Sequence, residues 1–573
     1  MVFRNNWVKA ILINGVILAL ALIFSYMSYE TNDDYAIAAR LQAGDPYTGY
    51  VNYYLCLLLI ELQKLLPAFN AFVMAEVFLS FVSFTMITKI ILDLERGIWF
   101  SILFVMILAL YSLDQYCILQ FTKTSALLVT AGMLLLVDAM IRCRPWGYYP
   151  MALILFYLGA ALRIKNIAVA IGFAGLFLLF WVIENRKELK PEGYLKKSRV
   201  VSYVILLVLV AGVLGVNAWS NQVNESTEAL KTYHDYNGER STIIDYSGFD
   251  QYEDSAEEFD ALGLSKDDLY LIHNWYFDYD GAASEENLHK INQIYAKNRE
   301  TGTTAAVHAA KSCIRHIISQ VKKRTATGVH LAVLVVIAVL GLILLRPRYW
   351  PFIFAAGAAT LCIYMGLFYI GRPAYRAMYV ADLGATLWLL YYYDWFKCWS
   401  LWVEKETAAE KAASVAVGLV SAVLIIGLAG GIYLGWQRCT DKHQEMVKNL
   451  RPVNLTERIA GDPNHVYVFS TREKKNLSSY ASPLRAPQAD PNVLTFGGWG
   501  TKSPYLLEKM KTFGLDNVFG DIIDNKKVYV IEDRNVDRME DYFNKWYGKE
   551  GGKVTYEAVD EVDGFRIWKV VRK

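Results

Sequence analysis

Charged side chains are scarce in this chain of 573 residues. Asp, Glu, Lys and Arg make up 20% of the sequence, and the formal net charge is only +2 at pH 7. Proteins that bind nucleic acids carry a surplus of basic residues, so no nucleic-acid partner is expected. The charges that are present lie in a few blocks between long apolar runs, and hydrophobic residues make up 54% of the chain.

Cysteine is also rare, and its pattern excludes two kinds of stabilising centre. The seven cysteines are scattered singly, most of them in or beside apolar segments. There is no C-x-x-C pair and no metal-ligand spacing, so neither a disulfide framework nor a zinc site is indicated. The polar C-terminal tail also lacks a P-loop, a dinucleotide fingerprint and a nucleophile–base arrangement, which are common signatures of soluble enzymes.

Long apolar runs are what the sequence does contain. A membrane-spanning helix needs about 20 mostly apolar residues. Eleven segments fit this rule: 7–29, 70–92, 98–115, 122–141, 147–163, 166–183, 200–219, 328–345, 350–370, 376–395 and 412–436. No small-residue cleavage site follows the first run, so we expect a retained helix rather than a secretory signal. The apolar segment 51–66 is short and carries Glu61 and Lys64, so we expect it to lie in the membrane interface.

Loop charges predict which way the helices run. With the N-terminus in the cytoplasm, seventeen Lys and Arg residues lie at the inner ends of the spans. The short outer loops hold only seven: Arg40, Lys64, Lys123, Arg163, Lys165, Arg372 and Arg376. This bias satisfies the positive-inside rule. Counting 51–66 as a span would invert the orientation of every later span, and the bias would be lost. The sequence therefore predicts a polytopic α-helical membrane protein with about 11 spans and a cytoplasmic N-terminus.

Two long polar segments then fall on the extracytoplasmic side. We expect an N-terminal membrane half at 1–219 with its first outer loop at 30–69, an outer loop at 220–327, further membrane helices at 328–436, and an outer tail at 437–573. In the tail, strand-like runs at His465–Ser470, Lys527–Glu532 and Phe565–Val571 alternate with helix-like stretches at Pro504–Phe513 and Val536–Tyr547. This alternation predicts a small α/β domain.

An acidic pair, Asp33-Asp34, follows the first span directly. Asn32 or Asp33 could simply cap a short helix from Tyr35 to Ala43 that ends at Gly44. One Asx residue is enough for a cap, however, and a second carboxylate at a membrane surface must be solvated, paired or used. Such a carboxylate could deprotonate an acceptor hydroxyl or help to hold a divalent cation.

Most of the rare outer basic residues fall at the ends of spans. Arg163 and Lys165 lie between the fifth and sixth spans, Arg372 and Arg376 between the ninth and tenth, and Lys123 begins the fourth. Any one of them could snorkel to lipid head groups. Several at the same side fit a site for an anionic group better, because Arg offers bidentate hydrogen bonds to a phosphate.

The long outer loop carries aromatic residues that could contact a sugar. It contains Asp245-Tyr246 and the run His273–Asp278, in which Trp275 and Tyr276 could stack on sugar faces. Aromatic residues are also expected at a membrane surface without any ligand. His273, Trp275 and Tyr276 are therefore candidate substrate-binding residues with an equally simple structural explanation.

Taken together, the layout resembles the bacterial GT-C glycosyltransferases, which take a sugar from a polyprenyl-phosphate carrier. The acidic pair in the first outer loop, the interfacial helix, the basic helix junctions and the outer tail carry this resemblance. Within the superfamily it looks closest to the less characterised multi-span proteins of Gram-positive bacteria. The stretches similar to that group are Phe121–Ser125, Leu162–Asn166, Gly371–Arg376, His273–Asp278 and Gly497–Trp499.

The resemblance implies a reaction at the outer face of a bacterial plasma membrane. Arg163, Lys165, Arg372 or Arg376, with Lys123, would hold the phosphate of a lipid-linked sugar. Asp33 or Asp34 would act as general base on the hydroxyl of a cell-envelope glycan acceptor, with inversion at the anomeric carbon; Asp33 is preferred because it lies nearer the turn. Metal requirements vary within the superfamily, so the resemblance leaves a divalent cation, Mg²⁺ or Mn²⁺, as an option.

Three other functions fit parts of the pattern. A transporter or flippase of lipid-linked glycans would have ionisable residues along a path through the spans. Here Glu76 and Asp138 lie inside or near spans, but most ionisable groups sit at the outer ends, which favours a site on one side. A polymerase or ligase of lipid-linked glycans could use the same arginines without the carboxylate pair. A non-enzymatic envelope scaffold, whose outer domains bind partners, would need neither the arginines nor the carboxylate pair.

Overall fold

The computed structural model describes twelve stretches of the chain. They are residues 5–24, 27–31, 33–95, 98–185, 197–246, 252–344, 347–392, 408–448, 452–479, 482–487, 491–548 and 552–573. Asn32 and several of the basic residues counted at the inner ends, such as those in 186–196 and 393–407, lie outside these stretches.

A helix occupies each of the eleven positions at which the sequence predicts a span. In chain order these are α1 (Asn6–Phe24), α4 (Ala71–Leu92), α5 (Ile98–Cys117), α6 (Phe121–Arg142), α7 (Tyr148–Leu162), α8 (Asn166–Asn185), α9 (Lys197–Asn224), α15 (Ala326–Leu344), α16 (Trp350–Tyr369), α17 (Tyr375–Tyr392) and α18 (Ala408–Lys448). The helical membrane bundle predicted from the apolar runs is thus confirmed.

Not every one of these helices meets the length and composition of a full span. Within the described residues, eight do so alone, and a ninth does if α15 is counted with the preceding helix α14 (Gly302–Lys322), from which it is bent by 96°. α7 has only 15 residues, which is shorter than a bilayer normally requires. The count of about eleven is therefore eight or nine by these criteria.

Two helix ends differ from the prediction. α1 ends at Phe24 instead of residue 29, because Ser28–Tyr29 forms strand β1 and pairs in parallel with β2 (Ile118–Leu119). α18 continues to Lys448, past the predicted end at residue 436, because the polar residues after the span keep the helical conformation.

Two short helices lie between α1 and α4. α2 (Asp33–Gln42) begins at the acidic pair, and Gly44 after it has a φ of +81°, the left-handed conformation that ends many helices. α3 (Tyr53–Leu65) is the helix predicted to lie in the interface, and the Asn52 side chain caps it by accepting from the Tyr54 amide. Asn70 then caps α4 in the same way through the Val73 amide.

The buried centre of the bundle is α6, in which nearly every residue from Phe121 to Met140 is buried. It packs most closely on α7, where glycines let the backbones approach. A Cβ atom at Gly159 would lie 2.8 Å from Leu128 Cβ and 2.9 Å from the Val129 amide. Ser125 Oγ donates to the Gly159 carbonyl at 2.6 Å across the same contact.

The polar segment after α9 folds into helices that the sequence did not predict individually. They are α10 (Glu228–Ser241), α11 (Ala256–Ala261), α12 (Lys266–His273) and α13 (Glu285–Asn298), followed by α14. A π-helical turn, Thr242–Tyr246, extends α10, and a 3₁₀ turn, Tyr252–Ser255, precedes α11.

The tail forms the predicted α/β domain around one mixed sheet. Its elements are α19 (Val453–Gly461), β3 (Val466–Phe469), α20 (Thr471–Ser479), β4 (Val493–Thr495), α21 (Pro504–Thr512), β5 (Val528–Ile531), α22 (Val536–Tyr547), β6 (Val554–Val562) and β7 (Phe565–Arg572). The strand order is β4-β3-β5-β7-β6, with β3 parallel to β4 and β5, and β7 antiparallel to β5 and β6.

The helices α10–α13 of the loop and the tail share one hydrophobic core, so they form a single body, called here the outer body after its predicted side of the membrane. Phe277 and Leu288 from the loop lie in the same buried cluster as Val468 and Phe543 from the tail. The outer body meets the bundle where the Asn70 amide donates to the Leu484 carbonyl at 3.0 Å. The end of the bundle at this junction is called the domain end below.

We predict that Gly159→Leu destabilises the bundle. The new side chain has to displace backbone and β-carbon atoms of α6, and overpacking of this kind typically costs about 1–3 kcal/mol. The melting temperature of the purified protein should fall. Gly175→Leu on α8, where an added Cβ meets nothing within 4 Å, is the matched control, and equal melting temperatures for the two variants would contradict the proposed packing.

Candidate functional site

The acidic pair is held at the domain end by the small β1–β2 ladder. The Glu30 amide continues this ladder by donating to the Leu119 carbonyl at 3.0 Å. The chain then turns into α2, so Asp33 and Asp34 are its first two residues. Consecutive residues of a helix point in directions about 100° apart. The two carboxylates therefore have different surroundings.

Asp34 is fully buried and caps another helix. Its Oδ1 accepts from the Phe121 amide at the start of α6 at 2.7 Å, while Oδ2 is buried without a hydrogen-bond partner among the described residues. Burial, followed by the nearby Glu76 and Asp33 carboxyl groups, raises the pKa of Asp34 well above its usual value. Asp34 therefore connects α2 to the start of α6, and its predicted catalytic role stays a prediction.

Asp33 is partly exposed and faces a cation. Its Oδ2 lies 3.5 Å from an Nη atom of Arg376. The Asp33 carboxylate also lies close enough to Tyr50 to disfavour ionisation of its phenol. Burial of the phenol and then the nearby Asp33 raise the pKa of Tyr50 to about 12. Of the two acidic residues, Asp33 is the one that a substrate could reach.

A cavity of about 320 Å³ lies at the domain end, and Tyr50 lines it, whereas Asp33 and Asp34 do not. Arg163, Lys165 and Arg372, three of the predicted phosphate-binding residues, line it together. They come from the α7–α8 junction and from the turn before α17, so two separate helix ends meet at one place. Arg376 does not line the cavity, but it lies close enough to Arg163 to repel its positive charge.

Positive charge is poorly compensated around Arg163. Burial, followed by repulsion from Arg372 and Arg376, lowers the pKa of Arg163. No described carboxylate lies within ion-pair distance of it, and its guanidinium instead stands over the Tyr50 ring at 5.4 Å. A bound anion would relieve this repulsion and could accept charge-assisted hydrogen bonds from the guanidinium.

Tyr246 forms hydrogen bonds with two other cations of the cavity, Lys165 and Arg372. Its hydroxyl accepts from Lys165 Nζ at 2.9 Å and from an Nη atom of Arg372 at 2.8 Å. Burial opposes ionisation of this phenol, but Lys165 and Arg372 outweigh it and lower the pKa of Tyr246. A Cβ at Gly371 would lie 2.8 Å from the Tyr246 carbonyl oxygen, so only glycine allows the turn to bring Arg372 this close.

Arg240 on α10 is a cavity residue that the sequence did not indicate. It is 1% exposed and its Nη1 has no hydrogen-bond partner among the described residues, although its other nitrogens donate to Asn237. Its sequence neighbours are ordinary polar loop residues, so no periodicity or motif marks it. Only the fold of the outer body brings it to the cavity.

Lys123 lies elsewhere, inside the bundle. It is 0% exposed, and its Nζ donates to Asp114 Oδ2 at 2.8 Å and to the Asp114 carbonyl at 3.1 Å. Tyr375 donates to the same carboxylate at 2.7 Å. A phosphate-binding role for Lys123 stays a prediction, and its contacts are those of a buried structural ion pair.

The three aromatic candidates of the outer loop lie in the core of the outer body. His273 Nε2 lies 3.0 Å from the Tyr295 hydroxyl, and burial lowers the pKa of His273 to about 4. Tyr276 is 4% exposed and donates to Glu532. Trp275 packs under Arg240, whose guanidinium is 5.1 Å from the ring. None of the three lines the cavity, so their role in substrate binding stays a prediction.

The loop Gly497–Gly500 of the tail packs against Tyr50, a residue that lines the cavity. Trp499 packs edge-on against Tyr50 with ring centroids 5.3 Å apart, and the Arg40 guanidinium lies 4.8 Å from the Trp499 ring. A Cβ at Gly497 would come within 2.0 Å of the Trp275 carbonyl, so this loop fits closely against the outer body. The tail is therefore in contact with a residue of the cavity wall.

The acidic residues do not form a metal site in the described part of the chain. No group of three or more His, Cys, Asp or Glu side chains there is arranged to hold a metal ion. Asp34 is buried and already accepts from the Phe121 amide, which leaves Asp33 as the accessible carboxylate of the pair. A Mg²⁺ or Mn²⁺ ion at Asp33 would therefore need phosphate oxygens and water as its further ligands.

Comparisons with known proteins give one distant likeness. No protein-family model matches this sequence, and no curated protein matches it. Two solved structures are similar over nearly the whole chain: ArnT from Cupriavidus metallidurans bound to undecaprenyl phosphate, and ArnT in the apo state. Each is 12% identical, with a TM-score of 0.46, and the match covers 98% of this chain and 97% of that chain. A likeness this distant assigns no function, so the function is inferred from the residues of the site.

We predict that Asp34→Asn preserves the fold and removes a pH dependence. The raised pKa means that the folded protein binds a proton more tightly than the unfolded chain, so this group lowers stability as pH rises above the ordinary Asp pKa of about 3.9. The amide still accepts from Phe121 and cannot ionise. The melting temperature of the wild type should therefore fall relative to Asp34→Asn between pH 5 and pH 8.

Asp34→Ala provides the contrast, because it leaves the Phe121 amide without its acceptor. That loss should cost about 1–3 kcal/mol at any pH. Parallel melting profiles for the wild type and Asp34→Asn would show that Asp34 is not a buried carboxyl group.

Proposed function

We propose that this chain is a GT-C-type membrane glycosyltransferase. It moves a sugar from a polyprenyl-phosphate donor to a glycan acceptor of the cell envelope, on the extracytoplasmic side of a bacterial plasma membrane. The single observation that supports this most is the charge of the domain-end cavity. Its lining has four cations, Arg163, Lys165, Arg240 and Arg372, and one carboxylate, Asp245.

This imbalance favours an anionic ligand of the size of a phosphate. Arg372 is the cation that Asp245 compensates, at 3.5 Å, whereas Arg163 has no described carboxylate partner. A phosphate can accept from several of these donors at once through charge-assisted hydrogen bonds. Arg is well suited to this task because its guanidinium is planar and stays charged.

The wall of the cavity also suits a lipid carrier. Ala160 and Ala161 at the end of α7, and Val213 and Val216 on α9, line the same space as the cations. α7 and α9 belong to the membrane bundle, so apolar and phosphate-binding surfaces are continuous. A donor with a phosphate head and a prenyl chain could enter from the bilayer between these helices.

Asp33 is the proposed general base. It would take the proton of the acceptor hydroxyl while the hydroxyl oxygen forms a bond to the anomeric carbon of the sugar. The bond between that carbon and the phosphate oxygen breaks, and the electron pair leaves with the polyprenyl phosphate. Attack from the side opposite the leaving group inverts the anomeric configuration. Asp33 then returns the proton to water.

The arginines and Lys165 stabilise the leaving phosphate as its charge increases. Since phosphate leaves readily, no general acid is required. Asp34 is given no proton-transfer role here, because it is fully buried and its Oδ1 accepts from the Phe121 amide. No step is written through a metal ion, because the described residues contain no cluster of three ligands for one.

A transporter or flippase of lipid-linked glycans is the second candidate. It is favoured by more buried ionisable groups in the bundle than the sequence indicated, namely Glu76, Asp114, Lys123, Asp138 and Asp382. Four of these groups are paired inside the protein, since Asp114 pairs with Lys123, Asp382 with Tyr364, and Asp138 with Arg144. Glu76 accepts a hydrogen bond from Thr124 through Oε1. None lines either of the two cavities described for this protein, which favours the one-sided transferase.

We predict that Asp33→Asn abolishes sugar transfer while leaving donor binding intact. Loss of a general base typically lowers the rate about 10²–10⁴-fold. Transfer can be measured in membrane vesicles loaded with radiolabelled polyprenyl-phosphate sugars and envelope glycan. Donor binding can be measured separately with a fluorescent polyprenyl phosphate. Full transfer by Asp33→Asn at normal protein levels would contradict the proposed base.

The double variant Arg163→Ala/Arg372→Ala should fail earlier, at binding of the fluorescent polyprenyl phosphate. Loss of transition-state stabilisation should lower any remaining transfer by about 10²-fold or more. Arg538→Ala is the matched control, since Arg538 pairs with Asp267 on the surface of the outer body. Unchanged binding of the fluorescent polyprenyl phosphate by the double variant would show that the phosphate does not bind in this cavity.

A further inference from the structure

A second cavity, of about 730 Å³, lies within the membrane bundle between α5, α15 and α18. Its lining is apolar and includes Phe104, Ile107, Val333, Ile337, Val423 and Leu428. Arg324, at the break between α14 and α15, is the one charged residue among those that line it. The volume is within the range of pockets that enclose a small organic ligand or part of a larger one. It shares no lining residue with the domain-end cavity.

This second cavity has the form of a groove, called the groove below. It is open because three of the α18 residues that line it are glycines: Gly427, Gly430 and Gly431. An added Cβ at Gly427 or Gly430 would meet nothing within 4 Å. Glycine is unfavourable in a helix interior by about 1 kcal/mol relative to alanine. Here it also leaves space beside a helix that is otherwise apolar, which suits a flexible hydrocarbon chain.

The mouth of the groove is formed by an unusual helix, α14. It meets α15 at an angle of 96°, so if α15 crosses the bilayer, α14 runs along the membrane surface. The break itself is at Arg324, whose φ of 52° is left-handed. A helix in this position should have the composition of an interfacial helix.

α14 does have this composition, with three distinct faces. Ala309 and Cys313 are buried against the bundle. A second stripe, at spacings of seven, four and three residues, is apolar yet 45–54% exposed, and consists of Val307, Ile314, Ile318 and Val321. These spacings place the four side chains on one side of a helix.

The third face is basic. Lys311, Arg315 and Lys322 lie beside the apolar stripe, and Lys323 and Arg324 follow at the break. No acidic residue occurs between Gly302 and Arg324. None of these five cations forms an ion pair with a described carboxylate. Exposed apolar residues next to unpaired cations are typical of a helix that rests on anionic head groups.

We propose that this groove is a binding site for an anionic phospholipid, separate from the donor cavity. An acyl chain would fill the space between α5, α15 and α18, and the phosphate of the head group would be held by Lys322, Lys323 and Arg324. Charge complementarity at the mouth and an apolar lining below it match the two ends of such a lipid. The site does not depend on the proposed glycosyl transfer.

Two variants test the two ends of the site separately. Lys322→Gln/Lys323→Gln/Arg324→Gln removes the charge at the mouth, and Gly427→Leu fills the groove where there is room for a side chain. Matched controls are Lys526→Gln/Lys527→Gln/Lys553→Gln on the outer body, and Gly172→Leu on α8, where an added Cβ also meets nothing within 4 Å. The full-length protein, stripped of lipid in detergent, is titrated with dioleoylphosphatidylglycerol or dioleoylphosphatidylcholine and followed by native mass spectrometry.

The wild type should bind one phosphatidylglycerol, and more tightly than it binds phosphatidylcholine. A cation close to an anionic head group contributes about a fivefold factor, so the triple glutamine variant should weaken phosphatidylglycerol binding roughly 100-fold. Gly427→Leu should lose binding of both lipids, and the controls should behave as the wild type does. Equal affinity for the two lipids, or unchanged binding by Gly427→Leu, would overturn the proposal.

A third titration, with a polyprenyl phosphate, excludes the donor as occupant. If the groove is a phospholipid site, Gly427→Leu leaves polyprenyl-phosphate binding unchanged, and Arg163→Ala/Arg372→Ala reduces it. The opposite pattern would mean that the groove holds the carrier lipid, which would overturn the phospholipid assignment.

Discussion

The hydrogen bond from the Phe121 amide to Asp34 organises the domain end of this protein. The first amides of a helix have no partner within it, and at the start of α6 the surrounding residues are buried, so water cannot supply one. Asp34 does so from a different helix, with its Oδ1 2.7 Å from the Phe121 nitrogen. That bond ties α2 to the central helix of the bundle. The neighbouring Asp33 points in a different direction, and its carboxylate lies 3.5 Å from an Nη atom of Arg376.

The excess of positive charge around Arg163 determines which kind of ligand the cavity favours. A cation removed from water without a partner is costly, and yet Arg163 stands beside Arg372 and Arg376 with no described carboxylate at ion-pair distance. An anionic substrate would relieve that cost, whereas a neutral one would not. The same cluster places a carboxylate, Asp33, where an acceptor hydroxyl could approach a bound phosphate-linked sugar. A base next to an anion site is the minimum that transfer from a lipid phosphate needs.

The bundle and the α/β tail could be predicted from the sequence, because apolar length and alternation are local properties. α22, for example, has its predicted bounds, Val536–Tyr547. The meeting of Arg163 and Arg372 was also foreseeable, since both lie at helix ends on the predicted outer side. The burial of Lys123 against Asp114 was not, because it depends on how the α5–α6 turn folds back. Arg240 and the core position of Tyr276 depend on contacts between the outer loop and the tail, which no local pattern encodes.

The central claim is that the domain-end cavity binds the phosphate of a lipid carrier. The most direct measurement is a cryo-electron microscopy map of the full-length protein in a nanodisc with a polyprenyl phosphate. We predict phosphate density within hydrogen-bond distance of Arg163 and Arg372, next to Asp33, with the prenyl chain leaving between α7 and α9. Phosphate density at another place, such as the groove at Arg324, with an empty arginine cluster would contradict the account.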